Sequence, residues 1–234
     1  KINCWKNYDP HGSQTLRKAL MNSCNPAFMQ LGARIGTTTL YKYYKAFGLF
    51  DKTGIDLPGE ANSLFTEEQK VGPVERATMS FGQRLSITPL QMITAVSAIA
   101  NDGILMKPRI VKQITNTDTG EVTEFKTKEI RQVISKSTTD KVKSMMESVV
   151  SEGSGYRVAE QAKGFSIGAK TGTAELKNSS TDTQSGTLGW FDCFTVNYSN
   201  GNDMLFIGMV ENTQNNSSGG SHYVIKKIKS LFVK

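Results

Sequence analysis

An α+β fold is the class this sequence predicts: helices through its first two thirds, an antiparallel sheet in its last third. Three observations predict it. Apolar residues recur at three- and four-residue intervals in most stretches before about residue 150, the period of an amphipathic helix. The C-terminal third changes to two-residue alternation in three stretches, 167–174, 188–197 and 204–210. Apart from one edge hairpin the strands form a meander and do not alternate one by one with helices, which excludes a doubly wound parallel sheet. No internal repeat is present.

Taken in order, the elements justify themselves locally. Ser13 is expected to cap a helix running to Met21, with Leu16, Ala19 and Leu20 apolar. The turn Ser23-Cys24-Asn25-Pro26 breaks it, because proline disfavours helical backbone at the residue before it. Ala27 to Ile35 carries Phe28, Leu31 and Ile35 on one face and stops at Gly36. Thr38 to Phe47 is a further short helix, ended by Gly48, and Gly54 to Gly59 is a turn-rich connector. Pro89 to Asn101 has the fullest helix signature: Thr88 as cap, proline in the first turn, and Asn101-Asp102-Gly103 as stop. Residues 108–134 alternate around Asp118-Thr119-Gly120 and predict a hairpin at the domain edge. Ser137 to Glu152 predicts a helix burying Val142, Met145, Met146, Val149 and Val150. After the three strands, with a polar mobile loop expected at Lys177 to Gly186, Ser221 to Val233 predicts a final basic helix.

Composition narrows the function classes. The 234 residues carry 28 Lys+Arg against 21 Asp+Glu, a net +7. A nucleic-acid partner is not expected, because no aromatic platform is interleaved with arginine and no finger or RNA-binding string occurs. A solvated basic face, attracted to an anionic polymer or membrane surface, fits the charge better. No stretch approaches eighteen apolar residues, so no membrane span is predicted. The 3 cysteines cannot close a disulfide framework.

Two short strings carry chemistry: Ser23-Cys24-Asn25, between two predicted helices, and Lys170-Thr171-Gly172-Thr173, in the first predicted strand of the sheet. Ser-x-Asn is common by chance, whereas Lys-Thr-Gly is expected only about 0.06 times in a chain of this length, so the pair outweighs either alone. Together they suit acyl transfer by a serine nucleophile. Gly172 lets a substrate backbone lie against the strand, and the Thr171 and Thr173 hydroxyls can bind a carboxylate. Lys170 supplies positive potential, Ser23 can relay a proton, and Asn25 can orient substrate amides. The plainer alternatives are a capped turn and a surface strand.

Around these strings the sequence resembles the class B penicillin-binding protein transpeptidase domain. The resemblance runs through His11-Gly12-Ser13-Gln14-Thr15-Leu16, Thr53-Gly54-Ile55-Asp56-Leu57-Pro58-Gly59-Glu60 and Ser80-Phe81-Gly82-Gln83. It continues through Thr88-Pro89-Leu90-Gln91-Met92, Lys170-Thr171-Gly172-Thr173-Ala174-Glu175 and Gly189-Trp190-Phe191. It implies the penicillin-binding/serine β-lactamase-like fold, an antiparallel sheet packed by helices plus a helical subdomain. It also implies peptidoglycan cross-linking: a serine attacks the D-Ala-D-Ala bond of a stem peptide, and a neighbouring stem amine takes the acyl group. β-Lactams trap that serine. Ser23 and Asn25 then belong to the family's second motif, and Lys170, Thr171 and Gly172 to its third. The Thr173 N–H becomes an oxyanion donor, and no cofactor is needed for the chemistry.

The resemblance also sets out departures. No serine in the chain has a lysine three positions later, so the nucleophilic Ser-x-x-Lys is expected before Lys1. Residues 1–234 are then the C-terminal part of one transpeptidase domain, inactive alone, whose partners include its own N-terminal part, a glycosyltransferase and other cell-wall synthesis proteins. Its expected place is the extracytoplasmic face of the membrane, anchored by an N-terminal helix. Arg84 and Cys193 stand where the family usually has glycine. A D,D-carboxypeptidase, a β-lactam sensor of the same fold and a non-catalytic peptidoglycan-binding module are the alternatives. Finally, Cys4, Asp9, His11 and Cys24 lie close enough in sequence for a tetrahedral structural zinc site. A small buried Cys24 and a Cys4–Cys24 disulfide are the competing readings, with Cys193 and His222 as bystanders.

Overall fold

The computed structural model describes residues 3–153, 165–176, 186–196 and 203–210. Helix α1 (Leu16–Met21) starts later than Ser13 would place it. Its cap is Thr15, whose extended backbone aims the hydroxyl at the Lys18 N–H, 3.3 Å away. Helix α2 (Asn25–Ile35) already includes Asn25, with Pro26 in the first turn, where a missing N–H costs nothing. The chain break therefore falls one residue early, at Ser23-Cys24. Gly36, at φ 79°, ends α2 as expected and leads directly into α3 (Thr37–Ala46).

Between α3 and the next long helix, the connector is held by carboxylates. Glu60 accepts from the N–H and hydroxyl of Thr53 and from the Gly54 N–H, and Asp56 accepts from the N–H groups of Ile110 and Val111. A 3₁₀ turn (Glu68–Lys70) and a short helix, α4 (Pro73–Met79), follow. Helix α5 (Pro89–Ala100) has the predicted Thr88 cap, and Gln91 makes it reciprocal. The Thr88 hydroxyl accepts from the Gln91 N–H at 3.1 Å, and the Gln91 side chain accepts from the Thr88 N–H at 2.9 Å.

The predicted hairpin is real but shorter. Strands β2 (Gln113–Thr115) and β3 (Val122–Glu124) pair in antiparallel register around a turn in which Gly120 takes φ 73°. The rest of the 108–134 stretch does otherwise. Strand β4 (Glu129–Gln132) leaves the hairpin to pair with β1 (Ile104–Met106), just after α5. Helix α6 (Lys136–Ser151) is capped by the Ser135 hydroxyl, two residues before the expected start.

The last described part of the fold is a sheet in the order β5 (Ser166–Leu176), β6 (Gly186–Val196), β7 (Leu205–Val210), antiparallel throughout. One face packs Phe194, Val196 and Leu205 against Val96 and Met92 of α5, Met146 of α6 and Leu20 of α1. The other buries Ile167, Ala169, Phe191 and Cys193 with Val150. Gly168 is required on the first face: a Cβ there would stand 2.5 Å from the Phe194 ring. Among the described residues no helix is long and apolar enough to cross a membrane. The expected final helix, Ser221 to Val233, lies outside the described residues, as does the expected loop except for Gly186.

Candidate active site

Ser23 occupies the link between α1 and α2. Its N–H reaches back to the Leu20 carbonyl at 3.1 Å, and the Cys24 N–H bonds the Ala19 carbonyl at 3.0 Å, so the link is a tight turn. Closing it requires φ 50° at Ser23, a left-handed conformation that costs a side-chain-bearing residue about 1–2 kcal/mol. The turn faces β5. Lys170, in the middle of that strand, donates its Nζ to Ser23 Oγ at 2.9 Å and to the Thr171 carbonyl at 2.6 Å. The two strings singled out in the sequence are thus brought into direct contact across 147 residues.

The other expected site residues flank this contact in the chain. Asn25 opens α2 two residues beyond Ser23. Thr171, Gly172 and Thr173 continue β5, and among the described residues a Cβ at Gly172 would touch only Trp190 Cβ, at 3.4 Å. Thr173 is exposed, and its carbonyl accepts from Gln83 Nε2 at 3.4 Å, tying the turn after α4 to the strand edge.

Electrostatically the candidate site is a cation held in a half-buried, partly desolvated place. Enclosure of the Lys170 amine strips it of water and lowers its pKa to about 8, against the opposing pull of Asp192. Asp192 sits directly across the ladder from Lys170 in β6. Its own carboxyl is pushed up to about 7 by burial, with Lys170 pulling it down. Sequence reasoning passes over Asp192, although it is the single charged residue of its strand.

The departures from the family pattern have structural accounts. Arg84 has φ 58°, so the position demands a left-handed residue, and arginine meets that demand while its guanidinium pairs with Glu75 at 2.9 Å. Cys193 is fully buried opposite Ala169, and burial pushes its thiol up to about 12, which keeps it protonated and inert.

Behind Ser23, on the far side of the turn, the ligand atoms of Cys4, His11 and Cys24 lie within 4.8 Å of one another, and Cys4 Sγ is 3.1 Å from His11 Nδ1. Asp9, the expected fourth member, is not with them. Its carboxylate is exposed and held by Lys6, the opposite charge three residues away. The three cysteines are free thiols.

Residues 1–229 match the family described as penicillin binding protein transpeptidase domain, and the chain belongs to that family. It is 43% identical to stage V sporulation protein D of Bacillus subtilis over 176 residues, 75% of this chain and 27% of that protein. It is 32% identical to the probable peptidoglycan D,D-transpeptidase PenA of Neisseria meningitidis over 162 residues, 69% of this chain and 26% of that one. The crystal structure of penicillin binding protein 3 from Mycobacterium tuberculosis, complexed with aztreonam, superposes with a TM-score of 0.80 at 28% identity. That match covers 93% of this chain and 50% of the other. The chain thus spans about a quarter of the length of the curated relatives it matches.

Proposed function

We propose that this chain supplies the second and third motifs of a peptidoglycan D,D-transpeptidase site whose nucleophilic serine is carried outside it. The observation that carries this reading is the 2.9 Å hydrogen bond from Lys170 to Ser23. A hydroxyl bonded to a partly desolvated amine is a proton relay: Ser23 passes a proton toward the leaving D-alanine amine while Lys170 holds the charge that balances it. Asn25 orients the donor peptide amide. The Thr171 and Thr173 hydroxyls, with Lys170, hold its terminal carboxylate, and the Thr173 N–H faces the oxyanion that develops on attack. The acyl group then passes to the amine of a second stem peptide, forming the cross-link, and β-lactams occupy the donor's place. The protein then works at the extracytoplasmic face of the membrane beside a glycosyltransferase and other wall-synthesis proteins, where a net +7 suits anionic polymer.

The test is covalent labelling of the full-length protein with fluorescent penicillin. The parent takes up label, and Lys170→Ala slows acylation by about 100-fold or more. Full-length parent that takes no label defeats the reading.

The thiol–imidazole cluster supports a second, structural role. We propose that Cys4, His11 and Cys24 hold a zinc ion that staples the segment before α1 to the back of the Ser23 turn; two thiolates and an imidazole are a recurrent zinc donor set. Metal analysis of the purified protein by mass spectrometry should find about one equivalent of zinc. A content under about a tenth of an equivalent sinks the assignment.

A further inference from the structure

Asp192 is out of place by packing criteria. It is only 9% exposed, and its Oδ1 is buried with no hydrogen-bond partner among the described residues. Burying a carboxylate in this way is costly, and an apolar side chain of similar size would leave the sheet as stable or more so. What surrounds it is apolar. Its neighbour across β7 is Ile207, and neither β7 nor α5, which crosses this face, carries an ionisable side chain. On α1 and α6, Arg17 is engaged by Ser144 and Ser148, and Lys143 by Asp102. The adjacent Cys193 thiol packs with Ala169 and Ile167 on the opposite face. Among the described residues, the one charge that Asp192 meets is that of Lys170, its ladder partner, and Lys170 meets no other.

We propose that Asp192 is a positioning residue for Lys170, a buried counter-charge that keeps the amine protonated and seated against Ser23. The proposal rests on the acyl-transfer reading above. A lysine on a flexible four-carbon stem, enclosed and stripped of water, either gives up its proton or swings out to solvent. A carboxylate fixed behind it on the neighbouring strand opposes both. It does so without taking the ammonium's donors, two of which go to Ser23 and the Thr171 carbonyl, leaving a third N–H for an anionic substrate group.

The test uses the full-length protein and the variants Asp192→Asn, which keeps shape and removes charge, and Asp192→Leu, which keeps packing. Trace acetylation with acetic anhydride over a pH series, read by mass spectrometry on the Lys170 peptide, reports when that amine becomes neutral. The midpoint for Lys170 moves down by about one pH unit in both variants, and other lysines do not move. The alkaline limb of the penicillin acylation rate moves with it, so that labelling on that limb falls several-fold while labelling at lower pH is kept. Melting at neutral pH stays at or above the parent's, which a merely structural carboxylate would not combine with a shifted profile. A Lys170 midpoint that is the same in parent and variants overturns the proposal. Parent protein that takes no penicillin at any pH overturns the transpeptidase reading instead, and the lysine titration still decides whether the two side chains are coupled.

Discussion

At the scale of single residues, the candidate site brings together a left-handed serine, a desolvated amine and a buried acid. The last two leave a signature in stability. Asp192 ionises near 3.8 in an unfolded chain but at about 7 when folded. Between those values the folded state holds a proton that the unfolded state has lost, so stability falls as pH rises. Lys170 is lowered from 10.5 to about 8. Above 8 the folded state has released a proton that the unfolded chain still binds, so stability recovers toward 10.5. The pair therefore costs most near neutrality, on the order of a few kcal/mol for the acid alone. Asp192→Asn should raise the melting temperature, relative to the parent, by more at about pH 7 than at about pH 4. Thermal melts at the two pH values decide it, and an equal difference at both would mean that the carboxyl titrates normally. Ser23, Asn25 and Lys170 stood out in the sequence because a Ser-x-Asn string and a rarer Lys-Thr-Gly string occur in the same chain, and the fold brings Ser23 and Lys170 into contact. Asp192 did not, because its meaning depends on strand register, which two-residue alternation does not fix.

At the scale of elements, the position of the Ser23 turn depends on how closely α2 lies against α4. Gly32 permits that approach: a Cβ there would fall 1.7 Å from Ser80 Oγ and 2.7 Å from Ser80 Cβ. Gly32→Ala should destabilise the protein by about 1–3 kcal/mol, the usual penalty of overpacking. Adding Ser80→Gly removes the clashing atoms and should restore most of the loss. Urea denaturation of the single and double variants tests the contact, and a double variant no more stable than Gly32→Ala would refute it. The elements themselves were readable where they are long and capped, as with α5 and its Thr88 cap. Helix α4 escapes a periodicity reading because its 7 residues complete barely two turns. Strand β1 escapes for the same reason at 3 residues, and with it the partner of β4. The cap of α1 slips by two residues, from Ser13 to Thr15, and the start of α6 by one, from Ser137 to Lys136, where serines and threonines cluster and several could serve as caps.

At the scale of the whole molecule, the α+β class was legible because helical and strand periods occupy separate stretches of the sequence. Their docking was not: which helices cover which sheet face follows from side-chain fit among Phe194, Val96 and Met146, residues remote in sequence. The Ser23–Lys170 contact belongs to that docking, and it has a kinetic consequence. Its two ends are 147 residues apart. Closing a loop of that length forfeits about 4 kcal/mol of chain entropy, against roughly 1 kcal/mol returned by one hydrogen bond. The bond cannot draw the two segments together by itself. It needs the packing of α5 and α6 on the sheet, so the Ser23–Lys170 contact is expected to arise late in refolding, together with that packing rather than ahead of it.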